Sequence, residues 1–394
     1  MMRALLVLNV GSSSIKFALY AGDDLAQLCR GHIEALGSSA QKTAWSGILA
    51  ARLDDAQPGS AVDHHGAIDW LLQTLRKHLP EVELIGAGHR VVHGGMKFAA
   101  PVRIDASVIA ELEKLVPLAP THQPQSLAAI RAIADAWPQL PQIACFDTAF
   151  HRQQPRLAQL FALPQALTDQ GVIRYGFHGL SYAYLADELP RFAGTRANGR
   201  VVIAHLGHGA SLCALQNRQS IATTMGFSAL DGLMMGTRCG ALDPGVLLYL
   251  LQSGKYDASQ LADLLYNRSG LLGVSGLSDD LRVLESSADP RAREAIELFA
   301  YRAARELGSM AAALDGLDVL VFTAGIGERS AAMRARICER ARWLGVELDP
   351  QANAEHRNKI SSAASSVEVF AIATDEEIVI ARAVQALFGN SRHD

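Results

Sequence analysis

Aromatic side chains are scarce, 6% of the 394 residues, so any core must be built from Leu, Ala, Val and Ile. Cysteines number five, Cys29, Cys145, Cys213, Cys239 and Cys338, isolated from one another and odd in number. With no CxxC pair they argue against a disulfide framework or a thiolate zinc site and suit a reducing compartment. No apolar run approaches the ~20 residues of a membrane helix. The run at residues 4–8 is too short for a signal peptide and lacks a cleavage site, so a cytoplasmic protein is expected. An excess of charge of one sign is also missing: 36 basic against 40 acidic residues leave a net charge of −4. This removes the bulk electrostatic case for a nucleic acid or an anionic membrane as partner. Three chemical signatures are absent as well. There is no GxxxxGK[ST] phosphate loop and no GxSxG nucleophile elbow, and His64-His65 belongs to no His/Cys cluster at zinc spacing.

What is present is an apolar fraction of 49% with only 19% charged residues, enough for large cores. At about 100–200 residues per domain, two domains are expected. Strand and helix signals alternate, which predicts mixed α/β architecture. Residues 3–10 and 15–20 read as strands joined by the small-residue turn 11–14, a hairpin. Ile68, Leu71, Leu72, Leu75 and Leu79 have helical spacing. A strand at 84–92, a helix at 125–137 and a buried strand at 142–146 follow, the last ending at Asp147. A second set starts after about residue 150, with a strand at 200–206, the turn 207–211 and a strand at 212–215. Placing Gly11 on Gly209 puts Leu8 on Leu206 and Ser13 on Ser211, which suggests a duplicated domain. A helix at 291–314, a strand at 318–322, a glycine turn at 325–327, a helix at 331–343, a strand at 367–372 and a helix at 376–388 complete the pattern.

Three Gly/Ser turns after apolar strands suit phosphate, because small residues let backbone N–H groups approach its oxygens. The third runs into a helix, whose N-terminus adds positive dipole. Any one of them alone is more often an ordinary tight turn; three together favour a nucleotide. Asn9 and Lys16 flank the first turn, Lys16 reading equally well as a solvated strand residue. Arg90, inside Gly-His-Arg-Val-Val-His-Gly-Gly, and Arg238, inside Met-Met-Gly-Thr-Arg-Cys-Gly, are cations in apolar, glycine-flanked segments. Burial there requires anionic company, either a structural ion pair or a ligand. Asp147 closes a buried strand, where active sites of open α/β sheets collect, or else caps a helix. His178 lies in Tyr-Gly-Phe-His-Gly, a setting more common for a hydrogen-bonded core histidine than for a catalyst. Together these residues suggest an anionic substrate meeting an anionic nucleotide.

At residues 7–16, 88–95, 146–151, 175–179, 225–245, 322–328 and 375–377 the sequence resembles the acetate kinase family, in order and over essentially the whole chain. The resemblance implies the fold of the sugar kinase, heat-shock cognate and actin superfamily: two duplicated, ribonuclease H-like α/β domains flanking a central cleft. It places one domain at 1–150 plus 378–394 and the other at 151–377. It also implies a homodimer that uses ATP/ADP as co-substrate and magnesium, or manganese in its place, to phosphorylate acetate or another short-chain carboxylate. Carried over by position, Arg90 and Arg238 hold the acyl carboxylate and the transferring phosphoryl. His178 stabilises the transition state, Asp147 helps organise it, and Asn9 and Glu376 place the metal. Ser12, Ser14, Lys16 and His122 serve the phosphate end. The nucleotide stretches are His205, Leu206, Gly207, His208 and Gly209, then Asp280, Leu281 and Arg282, then Gly325, Ile326, Gly327, Glu328 and Arg329. Val92, Thr121, Phe177 and Ala229 line the acyl pocket.

The chain departs from the family's usual residues at His208 (usually Asn), Arg329 (Asn), Thr121 (Leu) and Ala229 (Pro). These departures bear on nucleotide and acyl-chain preference. The alternatives are a propionate or butyrate kinase, a hydroxyl kinase of the same superfamily with Asp147 as general base, and a non-catalytic ATP-binding switch. The paired arginines speak against the last two.

Overall fold

A computed structural model describes residues 1–11, 14–34, 36, 42–53, 56–58, 62–120 and 122–389. The chain divides into two compact units, Met1–Phe150 with Asp375–Asp394, and His151–Thr374.

Unit 1 is built on strands β1 (Met2–Val10), β2 (Ile15–Ala21), β3 (Gln27–Glu34), β4 (Lys42–Ser46), β5 (Val82–Val91), β6 (Val102–Arg103) and β7 (Gln142–Phe146). Their order in the sheet is β4-β3-β2-β1-β5-β7-β6. β1 to β4 pair antiparallel, as successive hairpins do, whereas β5 lies parallel to β1, and β7 to β5. Parallel strands covered on both faces must be apolar throughout. Accordingly β7 is buried at every residue, and β1 from Ala4 to Val10. One covering helix is His64–His78, capped by Asp63, whose side chain accepts from Gly66 N; it buries Ala67, Ile68, Leu71, Leu72 and Leu75.

The last helix, Glu376–Gly389, belongs to this unit because it lies on β1, β5 and β7. Its approach depends on Gly88. A Cβ there would come within 2.4 Å of Ile380 Cγ2 and 2.7 Å of Val384 Cγ2, so only glycine lets the helix seat on the strand.

Unit 2 contains β8 (Val201–Leu206), β9 (Ala210–Gln216), β10 (Gln219–Thr223), β11 (Val319–Thr323) and β12 (Glu368–Ala371), in the order β10-β9-β8-β11-β12. β8, β9 and β10 pair antiparallel; β11 lies parallel to β8, and β12 to β11. This is the pattern of β3-β2-β1-β5-β7 repeated, so the duplication read from two glycine turns holds at the level of the whole sheet. The fold is the duplicated actin-like α/β architecture. The longest helix, Pro290–Ala313, starts at the Asp289 cap with Pro at its first position and buries Ala292, Ile296, Phe299, Ala303 and Leu307.

One expected turn takes another form. Residues 325–327 lie inside a short helix, Ala324–Arg329. Glu328 Oε1 accepts from Ala324 N at 2.9 Å at the start of that helix. At its other end the fully buried Arg334 donates to the carbonyls of Gly327 and Glu328 at 2.9 and 2.8 Å. A cation on terminal carbonyls complements the helix dipole and stabilises a helix of one and a half turns.

Candidate active site

In unit 1 the ends of three parallel strands bring together side chains distant in sequence. Asn9 and Arg90 each precede the last residue of their strands, β1 and β5, and Asp147 follows β7. Asp147 N donates to Val91 O at 3.1 Å, which sets Asp147 beside the arginine. Arg90 Nε donates to Asp147 Oδ1 at 2.9 Å and to Oδ2 at 3.1 Å, and Nη2 donates to Oδ2 at 2.5 Å. This is the fork geometry that a planar guanidinium offers a carboxylate. Arg90 Nη1 donates to Asn9 Oδ1 at 3.0 Å and stands 3.9 Å from Glu376 Oε2. Asn9 Nδ2 in turn faces Glu376 Oε2 at 3.4 Å.

Asp147 is 1% exposed, while the side chains of Arg90 and Glu376 keep 21% and 14% of their surface. Burial works against the Arg90 charge, but Asp147 and then Glu376 outweigh it and hold the guanidinium ionised. Burial first, and then the charges of Asp147 and Glu377, push the Glu376 carboxyl above its ordinary range, with Arg90 pulling the other way. Glu376 is therefore short of positive charge. Asn9 and Glu376 are hard oxygen donors next to this deficit, and among the described residues no group of three His, Cys, Asp or Glu side chains gathers as a metal site. The oxygen side chains of Asn9 and Glu376 suit a hard cation such as magnesium, which binds through one or two carboxylates and keeps most of its waters.

Lys16 lies opposite Asn9 in the β1–β2 register and is exposed. The first turn closes through Gly11 N to Ser14 O at 2.8 Å, and His64 Nε2 lies 2.8 Å from Gly11 O. His64 was not foreseen at this turn; sequence spacing gives no sign of a contact 53 residues away. Ser12 and Thr121 lie outside the described residues. His122 precedes the helix Gln123–Ala136, and Val92 is buried.

In unit 2 His178 takes a left-handed conformation, φ 58°, just before the helix Gly179–Glu188. Its Nδ1 meets Ser211 Oγ at 2.8 Å, and Tyr182 Oη reaches the same oxygen at 2.5 Å. The ring stacks on His205 at 4.2 Å with a 13° tilt, and His205 Nδ1 meets Ser181 Oγ at 2.9 Å. His205 and Leu206 are buried, so His205 acts as a platform beneath His178 and Leu206 offers only its backbone.

These contacts fix His178 with Nε2 turned toward the glycine loop. A Cβ on Gly209 would lie 3.1 Å from His178 Nε2 and 2.9 Å from Arg238 Nη2. Histidine, arginine and the loop backbone thus converge on one point, and glycine at 209 keeps it clear. Arg238 is steadied by Nη1 donating to Ala229 O at 2.6 Å, so Ala229 acts here through its carbonyl. Phe177 is buried, and its carbonyl lies 2.9 Å from His151 Nε2.

The remaining nucleotide candidates are also in unit 2. His208 Nε2 meets Asp279 Oδ2 at 3.1 Å, an acid the sequence did not single out. Asp280 accepts from Arg282 N at 2.9 Å and pairs with the Arg282 side chain at 2.6 Å; the Arg282 side-chain bond, first, holds the Asp280 carboxyl low. Leu281 is buried. Gly325 and Arg329 are exposed, Ile326 is half-buried and Gly327 is buried. Glu328 is engaged by Ala324 N, and by Thr374 N at 3.3 Å. Ser211, Tyr182, Ser181, Asp279 and Arg334 were missed because each acts on another side chain or on backbone brought near only by folding.

The family model described as the acetokinase family matches residues 4–382. An acetate kinase of Rhodopseudomonas palustris is 55% identical over 397 aligned positions, covering 98% of this chain and 99% of the relative. An acetate kinase of Methylocella silvestris is 48% identical, covering 98% of each chain. Among solved structures, a propionate kinase from Francisella tularensis superposes with a TM-score of 0.90 at 34% identity, covering 98% of this chain and 100% of that one. The acetate kinase of Porphyromonas gingivalis superposes with a TM-score of 0.84 at the same identity, 34%, and the same coverage, 98% and 100%. On this evidence the chain belongs to the acetokinase family and is a phosphotransferase with a carboxyl acceptor, forming acetyl phosphate and ADP from acetate and ATP.

Proposed function

We propose that the transfer is direct and in-line, with Arg90 and Arg238 holding the acetate carboxylate and the moving phosphoryl group, and His178 donating from Nε2 to the transition state. The observation that carries this reading is the convergence of Arg238 Nη2 and His178 Nε2 at Gly209. Acetate, with a pKa of roughly 4–5 like that of Glu, is ionised at neutral pH, so no general base is needed. The obstacle is bringing two anions together and stabilising charge on the equatorial oxygens. Asp147 suits that task. Both its oxygens accept from Arg90, so it orients the arginine and is poorly placed to take a proton from a hydroxyl. The backbone of Gly207–Gly209 and the segments at 280–282 and 325–329 serve ATP, with Ser12, Ser14, Lys16 and His122 at its phosphate end. Asn9 and Glu376 would hold magnesium, directly or through water, where it neutralises phosphate charge.

Trapping the product with hydroxylamine tests the reading: an acyl phosphate yields a hydroxamate, and a sugar-type phosphate ester does not. Absence of hydroxamate with acetate, ATP and magnesium overturns it. Propionate is the second substrate in this proposal, in keeping with the propionate kinase neighbour and with the small Ala229. We also place the enzyme in the cytoplasm, where ATP is available; no helix among the described residues is long and apolar enough to cross a membrane. A homodimer is proposed from the helix Pro244–Gln252, Pro-Gly-Val-Leu-Leu-Tyr-Leu-Leu-Gln, none of whose residues is buried. Leu248 and Tyr249 are 58% and 70% exposed, and an apolar helix left so open marks an interaction face. Sedimentation velocity showing only monomer at micromolar concentration would refute that assignment.

A further inference from the structure

Unit 2 contains a cavity of about 470 Å³ that none of the roles above uses. Met234, Leu264, Val274 and Leu298 give it apolar walls, and Arg302, Arg268 and Tyr301 add polar groups. Arg268 is matched by Asp263 at 2.7 Å. Arg302 is not matched by an acid. It is half-buried and donates from Nη2 to Ala241 O at 2.5 Å, and among the described residues it makes no ion pair. A partly desolvated guanidinium without a carboxylate is costly to keep and ready to accept one. The size lies within the range of ordinary small-molecule sites.

The cavity also touches the catalytic segment. Met234 and Cys239 line it and belong to the stretch that carries Arg238. That stretch is bound to the 264–271 segment, which also lines the cavity, by main-chain hydrogen bonds: Cys239 N to Leu265 O at 3.2 Å, Ser269 N to Thr237 O at 2.9 Å and Leu271 N to Met235 O at 2.9 Å. An occupant that spreads these walls must shift the backbone on both sides of Arg238.

We propose that this cavity binds a small organic acid, its apolar body against Met234, Leu264 and Leu298 and its anionic head on Arg302, and that occupancy alters turnover through the Arg238 segment. Carboxylate and phosphate heads share the chemistry that Arg302 recognises, so both are tested.

Cys239 provides a built-in reporter, since Cys29, Cys145, Cys213 and Cys338 are all buried and Cys239 alone among the five is not. The full-length enzyme, saturated with ATP, magnesium and acetate to fill the substrate site, is labelled with N-ethylmaleimide, and the Cys239 peptide is followed by mass spectrometry. Octanoate and octyl phosphate are the probes. The expected result is at least fivefold slower labelling with one or both probes, most of that protection lost in Arg302→Gln and regained in Arg302→Lys. A second variant, Leu298→Trp, fills the cavity; it should slow labelling without a probe and abolish the probe effect. In kinetics the effective probe should change kcat without competing with acetate. Unchanged labelling with both probes, or equal protection in Arg302→Gln, overturns the site. Labelling that slows with rising enzyme concentration but ignores the probes also overturns it, since a second copy then covers the cavity. Purely acetate-competitive inhibition overturns the effect on turnover.

Discussion

Replacing Arg90 by alanine should damage stability as well as catalysis, and the two losses can be separated. Arg90 holds Asp147, which is 1% exposed, through a three-bond fork. Removing one partner of a buried pair leaves an uncompensated charge and costs about 3–5 kcal/mol. Against a total of about 5–15 kcal/mol this is a large fraction. For a unit of this size it lowers Tm by about 6–20 °C. The double variant Arg90→Met with Asp147→Asn removes both charges of the fork and should recover most of that loss. Catalysis should not recover with it: each preorganised donor in a dry site is worth about 10²–10³ in rate. Calorimetry on the parent, Arg90→Ala, Asp147→Asn and the double variant, with hydroxamate assays at saturating substrates, gives both readouts. A Tm for Arg90→Ala within about 2 °C of the parent would refute the buried-pair argument. Parent-like kcat/KM in the double variant would remove Arg90 from the reaction.

Three other outcomes are expected. His89, 1% exposed, lies with Nε2 2.7 Å from Gln142 Oε1, and burial pushes its pKa down to about 4 from 6.5. The unfolded chain therefore binds this proton first as pH falls, so the contribution is complete above pH 6.5 and is lost by about pH 4. It amounts to about 3 kcal/mol, and urea unfolding of the parent and His89→Gln across that window should show the difference; parallel profiles would count against it. Gly209→Ala should leave Tm near the parent value but lower kcat about 10²-fold, because the added Cβ would stand 2.9 Å from Arg238 Nη2 and displace it; activity within threefold of the parent contradicts the convergence at Gly209. Acetate should give the highest kcat/KM, with propionate second, since one methylene in an apolar pocket is worth about 1–3 kcal/mol; butyrate as the best substrate would contradict the acyl-pocket assignment.

The sequence alone determined the alternation of strands and helices, the long 290–313 helix and the repeated strand–turn–strand units. These are local matters of apolar periodicity, capping residues and glycine placement, and physics acting over a few residues decides them. It also offered the candidates for the reaction, because two arginines in apolar, glycine-flanked segments and glycines after buried strands are legible without a fold. Partners were decided by the tertiary structure. Arg90 meets Asp147 57 residues away, and Asn9 meets Glu376 367 residues away, because the last helix seats on Gly88 of a strand formed early in the sequence. Ser211 and Tyr182 fix the His178 ring, His205 supports it and Ala229 holds Arg238 through its carbonyl, none of which has a sequence signature. The glycine run at 325–327 reads locally as a turn, yet Glu328 and the buried Arg334 bind its backbone at both ends and make it helix. Spacing along the chain sets which groups are available; only the packing of strands and helices sets which of them come within hydrogen-bonding distance.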